Sequence, residues 1–185
     1  MTAPETPNGK NSYEHVQLQL LAARKVFFTG EVDMALAHRV MAELLTLEDR
    51  GSEPVKLYIN SPGGELPSGL AVYDTIKTLK CEVHTICAGL AASVATIVLA
   101  GGAKGKRCAY RNSRILIHQP LGGIRGQATD IEIHAREILR ARENINRILA
   151  EDTNQPIKRL EKDTNRDYWM SAEEAKEYGI IDVIL

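Results

Sequence analysis

Residues 55–79, VKLYINSPGGELPSGLAVYDTIKTL, join a β-type run to a helical pattern through a glycine-rich turn. VKLYIN predicts a strand, which SPGG at residues 61–64 ends. From about Pro67 to Leu79 the apolar residues recur on one stripe and predict a helix. A strand followed by a helix of ten or more residues is the unit from which α/β folds with parallel sheets are built.

The same alternation continues on both sides of this stretch. Further strands are predicted at residues 25–29, 82–88, 114–118 and 180–185. Further helices are predicted from Asp33 to about residue 48, from about Ser93 to residue 101, over residues 127–151 and, behind a Ser171/Glu174 capping box, up to Gly179. The predicted fold class is therefore α/β, with a largely parallel sheet.

Composition argues against several classes of function. Lys and Arg total 23 against 24 Asp and Glu, and a net charge of −1 does not suit a nucleic-acid binder. The three cysteines form no C-x-x-C pair and the five histidines no H-E-x-x-H motif, so no metal site is predicted. Unpaired cysteines of this kind fit a reducing, cytoplasmic compartment.

An uncharged run at residues 83–103 is long enough to span a membrane. It contains glycine, serine, threonine and many alanines, and lacks the Leu, Ile and Phe density of a membrane span. We predict a buried strand, a tight turn and a buried helix instead. Residues 1–12 also lack the apolar segment of a signal peptide, so a soluble protein is expected.

Three positions have side chains suited to nucleophilic catalysis. Ser93 lies at a strand-to-helix junction among small residues, where a substrate carbonyl could approach. His118 ends a strand, and an imidazole there could reach a hydroxyl on one side and a carboxylate on the other. Asp163 and Asp167 could each orient the histidine or cap a turn, and the residues alone do not decide between them.

Each position also has a structural interpretation. Ser93 could cap a helix, and His118 could be a hydrogen-bonded structural residue. The Gly63-Gly64 pair at the end of a strand could form a plain tight turn. It could instead point backbone N–H groups at a bound oxyanion, because glycine permits the backbone conformations that this requires.

Several longer motifs resemble ClpP, the proteolytic subunit of the Clp protease. They are YINSPGG at 58–64, GLAVYDT at 69–75, AAS at 91–93, IHQP at 117–120 and GQATDIEIHAREI at 126–138. The resemblance implies a ClpP/crotonase-like fold of repeated β-β-α units. It also implies one peptidase domain over residues 25–185, with a projecting handle helix at about 121–151, behind a partly flexible N-terminal axial segment at 1–24.

The resemblance also implies roles for individual residues. Ser93 would be the nucleophile, His118 the general base and Asp167 the residue that orients it, with Asp163 only a neighbour. The backbone amides that would bind the oxyanion are those of Gly64 and Val94. The segment that would pair with the substrate as a strand is Leu121, Gly122 and Gly123.

The implied function is that of the proteolytic subunit of an ATP-dependent Clp protease, a serine endopeptidase in protein quality control. Unfolded proteins would be hydrolysed to short peptides, through an acyl-enzyme, inside a chamber of two stacked heptameric rings. A hexameric Clp ATPase such as ClpX or ClpA would feed this tetradecamer. The chain itself would need no cofactor, since the partner uses the ATP, and would bind neither nucleic acid nor membrane.

Two alternatives remain open. Leu90 and Val94 stand where the resembled family commonly has glutamine and methionine. These two departures, together with an N-terminal segment that keeps little of the family's axial-loop pattern, motivate the alternative of a weakly active or regulatory ring subunit that works with a ClpP paralogue. A crotonase-type protein acting on acyl-CoA thioesters would share the fold, but the Ser93, His118 and Asp167 set would then have no purpose.

Overall fold

A computed structural model describes residues 9–120 and 126–185 of the chain. Helices and strands alternate along most of this part. In chain order the elements are α1 (Gly9–Ala22), β1 (Lys25–Thr29), α2 (Met34–Arg50), β2 (Val55–Ser61), α3 (Leu66–Thr78), β3 (Val83–Ala92), α4 (Val94–Ala100), β4 (Cys108–Ala109), β5 (Arg114–Ile117), α5 (Ala128–Thr153), α6 (Ile157–Asp163), β6 (Tyr168–Met170), α7 (Ala172–Tyr178) and β7 (Val183–Ile184).

The strands form one mixed sheet that is parallel except at one pair. Its main order is β1-β2-β3-β4-β7, and every neighbour in that row is parallel. The ten-residue β3 pairs with β4 near its middle and with β5 at its carboxyl end. Strand β5 then pairs with β6 in the antiparallel sense. The predicted α/β class and largely parallel sheet are confirmed.

Alternation along β2 explains which face of the sheet is covered. Val55, Leu57 and Ile59 are fully buried, because successive side chains of a strand point to opposite faces. The opposite face is more open, and Phe27 stacks there on Tyr58 with ring centroids 5.3 Å apart. Phe27 remains 39% exposed, whereas parallel sheets are usually covered on both faces.

The uncharged run at residues 83–103 forms β3, a turn at Ser93 and α4, as predicted. Every residue of α4 is buried, so the absence of charge reflects a position inside the fold. Within residues 9–120 and 126–185, no helix combines the length and apolar character needed to cross a membrane.

Local capping signals are also confirmed. The carboxylate of Asp33 accepts a hydrogen bond from the Leu36 N–H at 2.8 Å and begins α2. Ser171 and Glu174 exchange the two bonds of a capping box at the start of α7. These bonds form between residues three apart, which is why the sequence predicts them.

Four elements were not predicted: α1, β4, α6 and β6. Strands β4 and β6 have two and three residues, too few for a periodic pattern, and each exists because a neighbouring strand pairs with it. Helix α1 lies in the segment for which no helix was predicted, and β7 is shorter than the strand predicted at 180–185. The division into an axial segment and a peptidase domain stays a prediction.

Candidate active site

Ser93 lies between the end of β3 and the start of α4 in an unusual backbone conformation. Its φ is 58° and its ψ −128°, outside the regions that non-glycine residues normally adopt. Its N–H donates to the Leu116 carbonyl at 3.0 Å. Its hydroxyl makes no capping bond to α4, so the helix-cap interpretation does not account for this serine.

Gly63 and Gly64 approach this serine from the end of β2. Both have positive φ, 90° and 151°. A Cβ on Gly63 would lie 2.6 Å from the Ser93 Cβ, and a Cβ on Gly64 would collide with the backbone of Val32. Only glycine fits at either position, because the neighbouring atoms leave no room for a side chain and the positive φ favours glycine.

The backbone N–H of Gly64 points away from the adjacent backbone segment, which contains Val32. Val32 donates to the Gly63 carbonyl at 2.8 Å and accepts from the Glu65 N–H at 2.7 Å, so Gly64 forms a parallel bridge with Val32. In such a bridge the N–H of the central residue faces the opposite side. Within residues 9–120 and 126–185, neither the Gly64 nor the Val94 amide has a hydrogen-bond acceptor.

Strand register brings His118 and Asp167 together. Ile117 is opposite Tyr168 in the antiparallel pair of β5 and β6, so the next pair along is His118 and Asp167. Their Nδ1 and Oδ1 atoms are 3.0 Å apart. The histidine side chain is 13% exposed and that of the aspartate 63%. If Nδ1 carries the proton that it donates to Asp167, Nε2 is free to accept another.

The other candidate aspartate, Asp163, makes hydrogen bonds away from His118. The Asp163 carboxylate accepts from the Tyr178 hydroxyl at 3.0 Å and from Arg159 Nε at 3.4 Å. Asp163 belongs to α6, whereas Asp167 immediately precedes β6. The structure therefore separates the two aspartates that the residue pattern left equivalent.

These groups surround one pocket of about 410 Å³. Ser93, His118, Gly64 and Val94 line it, and Asp167 contacts it through the histidine. In the described part of the chain, no hydrogen bond joins the Ser93 hydroxyl to the His118 ring. The predicted substrate-pairing residues fall outside the described residues: Leu121, Gly122 and Gly123.

The family model described as Clp protease matches residues 8–185 of the chain. The chain belongs to the Clp protease family. The match covers almost the whole sequence, and the mixed α/β fold with its mostly parallel sheet is consistent with the ClpP/crotonase-like fold. Membership in the Clp protease family makes this chain a Clp-type peptidase.

Sequence reasoning missed several residues that line the pocket of this Clp protease family member. Ile145 and Leu149 of α5 form part of its wall, although their spacing indicated only an apolar helix stripe. Leu66 and Ile97 add to the apolar lining. Glu31 and Glu65 line the pocket too, and nothing in their local sequence signals that position.

Cys87 does not provide a second nucleophile. It is fully buried in β3, and burial raises the pKa of its thiol to about 11, against the smaller opposing effects of bonds from Ser113 and Gly89. A thiol with a raised pKa carries little thiolate at neutral pH and is inert. Cys87 is therefore not a candidate nucleophile, and Ser93 remains the candidate that the pocket contains.

Proposed function

We propose that this chain is the proteolytic subunit of an ATP-dependent Clp protease, a serine endopeptidase with Ser93, His118 and Asp167 as its catalytic triad. The observation that carries the proposal is the 3.0 Å contact between the His118 ring and the Asp167 carboxylate, at the edge of the pocket that also contains Ser93. Residues 93, 118 and 167 come from three separate parts of the chain, and their approach to one pocket supports the proposed triad.

The proposed reaction begins at His118. Its Nε2 takes the proton of the Ser93 hydroxyl as the serine oxygen attacks a peptide carbonyl, while Asp167 holds the ring and stabilises the imidazolium. The oxyanion accepts hydrogen bonds from the Gly64 and Val94 amides. The imidazolium then protonates the departing amine. Water, activated in the same way, hydrolyses the acyl-enzyme and releases the second product.

A side-chain movement has to precede this reaction. In the part of the chain that the structure describes, Ser93 and His118 line the same pocket without a hydrogen bond, so the two side chains must come into contact before proton transfer. Hydrogen bonds of this kind are often long in the unliganded state and shorten when the substrate binds. The pocket wall formed by Leu66, Ile97 and Leu149 favours an apolar substrate side chain next to the scissile bond.

The proposed assembly is a tetradecamer of two heptameric rings joined through α5. Unpaired apolar side chains on the exposed part of this helix support it: Ile131, Ile133 and Leu139. Unfolded polypeptides would enter from a hexameric Clp ATPase such as ClpX or ClpA, which would supply the ATP hydrolysis. Within the chamber, Leu121, Gly122 and Gly123 would pair with the substrate.

A second candidate function is a weakly active or regulatory ring subunit that works beside a ClpP paralogue. The unformed bond between Ser93 and His118 favours it, together with Leu90 and Val94 at positions where the family commonly has other residues. In that case the lone homo-oligomer would hydrolyse peptides poorly, and the paralogue would bring the serine and histidine together.

Replacement of the nucleophile tests the proposal. Ser93→Ala should lower the hydrolysis of a small fluorogenic peptide by roughly 10⁴- to 10⁶-fold. It should also abolish labelling by a fluorophosphonate. Ser52→Ala, at an exposed loop position, is the matched control and should retain both activities. Undiminished turnover by Ser93→Ala would refute the triad, whereas labelling of the wild type only in the presence of a paralogue would favour the second candidate.

A further inference from the structure

Two carboxylates line the pocket that contains Ser93 and His118. They belong to Glu31 and Glu65, and both side chains are exposed to solvent. Among the described residues that line this pocket, none is a lysine or an arginine. The candidate active site therefore has a negative rim beside its apolar wall.

The bridge between Val32 and Gly64 fixes the position of both glutamates. Glu31 precedes Val32 and Glu65 follows Gly64, so the two flank the candidate oxyanion amide from adjacent backbone segments. Bridged backbones lie about 4.8 Å apart, and an extended substrate advances about 3.3 Å per residue. A substrate side chain within two or three residues of the scissile bond can therefore reach these carboxylates.

Local structure does not account for both charges. Glu65 occupies the N-cap position of α3, but its side chain makes no bond to the helix backbone; among the described residues its one hydrogen-bond donor is the Ser68 hydroxyl, at 2.8 Å. In the described part of the chain, the Glu31 carboxylate has no hydrogen-bond or ion-pair partner. Two negative charges near a pocket with apolar walls attract cations, because such walls focus the field.

We propose that Glu31 and Glu65 are specificity-determining residues that favour substrates with lysine or arginine close to the scissile bond. The inference rests on the proposed peptidase function and adds a substrate class to it. An apolar side chain would enter the pocket, while a neighbouring cationic side chain would lie against the two carboxylates. Acidic side chains at that place would be repelled.

Three internally quenched peptides test the inference. They are identical except for Lys, Gln or Glu at one position beside an apolar residue, and the assembled full-length protein is the enzyme. The wild type should hydrolyse the Lys peptide with a kcat/KM roughly 3- to 10-fold above that of the Gln peptide, as expected for exposed charge pairs. The Glu peptide should be poorer still, and added salt should compress all three values toward one another.

Glutamine variants test whether the preference for the Lys peptide comes from Glu31 and Glu65. The quantity compared is the kcat/KM for the Lys peptide divided by that for the Gln peptide. Glu31→Gln alone should lower this ratio part of the way, and the double variant Glu31→Gln, Glu65→Gln should bring it close to one. Glu53→Gln removes the same charge beside the amino end of β2, the end opposite to Gly64, and should keep the wild-type ratio. A second readout is the binding of the uncleaved peptides to Ser93→Ala, measured by fluorescence anisotropy.

Different outcomes separate this inference from the function on which it rests. Equal kcat/KM for the Lys and Gln peptides, or a ratio that the double variant leaves unchanged, would overturn the inference while the peptidase function stands. Absence of hydrolysis of all three peptides would contradict the peptidase function. In that case, equal affinity of Ser93→Ala for the Lys and Gln peptides would overturn the charge preference as well.

Discussion

Ser93 keeps its unusual backbone conformation because the surrounding hydrogen bonds hold it from both sides. The Thr96 Oγ1 atom is fully buried and lies 2.7 Å from the carbonyl oxygens of both Ala91 and Leu116. The Ser93 carbonyl accepts from the Thr96 N–H at 3.0 Å. A residue in a sparsely populated region costs about 1–3 kcal/mol, and such residues cluster at functional sites.

Gly64→Ala tests the candidate oxyanion amide at the residue scale. The added Cβ would collide with the Val32 backbone and displace the amide from the pocket. We expect kcat/KM for a small peptide to fall by roughly 10²- to 10³-fold, the usual effect of losing one oxyanion donor. Gly105→Ala is the control, since Gly105 also has a positive φ but no atom within 4 Å of the added Cβ. Equal activity of the two folded variants would contradict the role of Gly64.

At the scale of elements, a buried arginine joins three distant parts of the chain. Arg107, just before β4, donates from Nη2 to Asp182 Oδ1 at 2.6 Å and from Nη1 to the Asp152 carbonyl at 2.8 Å. The Asp152 carboxylate accepts in turn from Lys77 and Tyr73 of α3. These bonds hold the last turn of α5, and thereby the part of the helix that lines the pocket.

A fall in pH should weaken the interaction between Arg107 and Asp182. Burial alone would raise the pKa of Asp182, but the hydrogen bonds and charge of Arg107 outweigh it and hold the pKa below its usual value. The pair therefore stabilises the fold fully above the unfolded-state pKa of about 3.9, and this stabilisation is lost as the pH falls through the folded-state value. Asp182→Asn should lower the free energy of unfolding at pH 7 by roughly 1–3 kcal/mol.

Urea unfolding at pH 7 and at pH 3, at one fixed protein concentration, measures this effect. The difference between wild type and Asp182→Asn should be smaller at pH 3, because that pH lies below the unfolded-state pKa of about 3.9, where the stabilisation by ionised Asp182 is already falling. Asp49→Asn, at an exposed position of α2, is the control and should resemble the wild type at both pH values. An equal destabilisation by Asp182→Asn at both pH values would contradict the assignment.

For the whole molecule, the exposed apolar surfaces support the proposed assembly. Ile133 and Leu139 of α5 are 53% and 55% exposed, and Phe27 lies on the open face of the sheet. Surfaces of this kind normally mark contacts between proteins, and rings form when a contact between different faces closes on itself. Assembly would cover apolar area that the single chain leaves in water.

Light scattering of the purified chain should accordingly give a mass many times the 20.4 kDa of one subunit. Ile133→Lys should lower this mass, because it places a charge where apolar contact is proposed. His134→Lys introduces the same side chain at the next exposed position of α5 and should retain the assembly. A wild type that is monomeric under all conditions would contradict the proposed rings.

Much of the fold could be predicted from sequence because it depends on neighbours along the chain. The alternation of β2, the Asp33 cap and the Ser171/Glu174 capping box involve residues one to three positions apart. Their period and hydrogen bonds are fixed by backbone geometry. The strand-to-helix junction at Ser93 is local in the same way, although its strained φ is not encoded in any short pattern.

Motifs in the sequence by themselves determined the family, the class of fold and the residues that could take part in catalysis. The residue pattern left Asp163 and Asp167 equivalent, and only the resemblance pointed to Asp167. The contact between His118 and Asp167 itself comes from the register between β5 and β6, which is a property of the tertiary structure. Tertiary structure also decided that Glu31 lies beside Gly64, 33 positions further along the chain. The physical reason is that strand pairing and packing bring distant residues together, whereas short-range periodicity describes only one segment at a time.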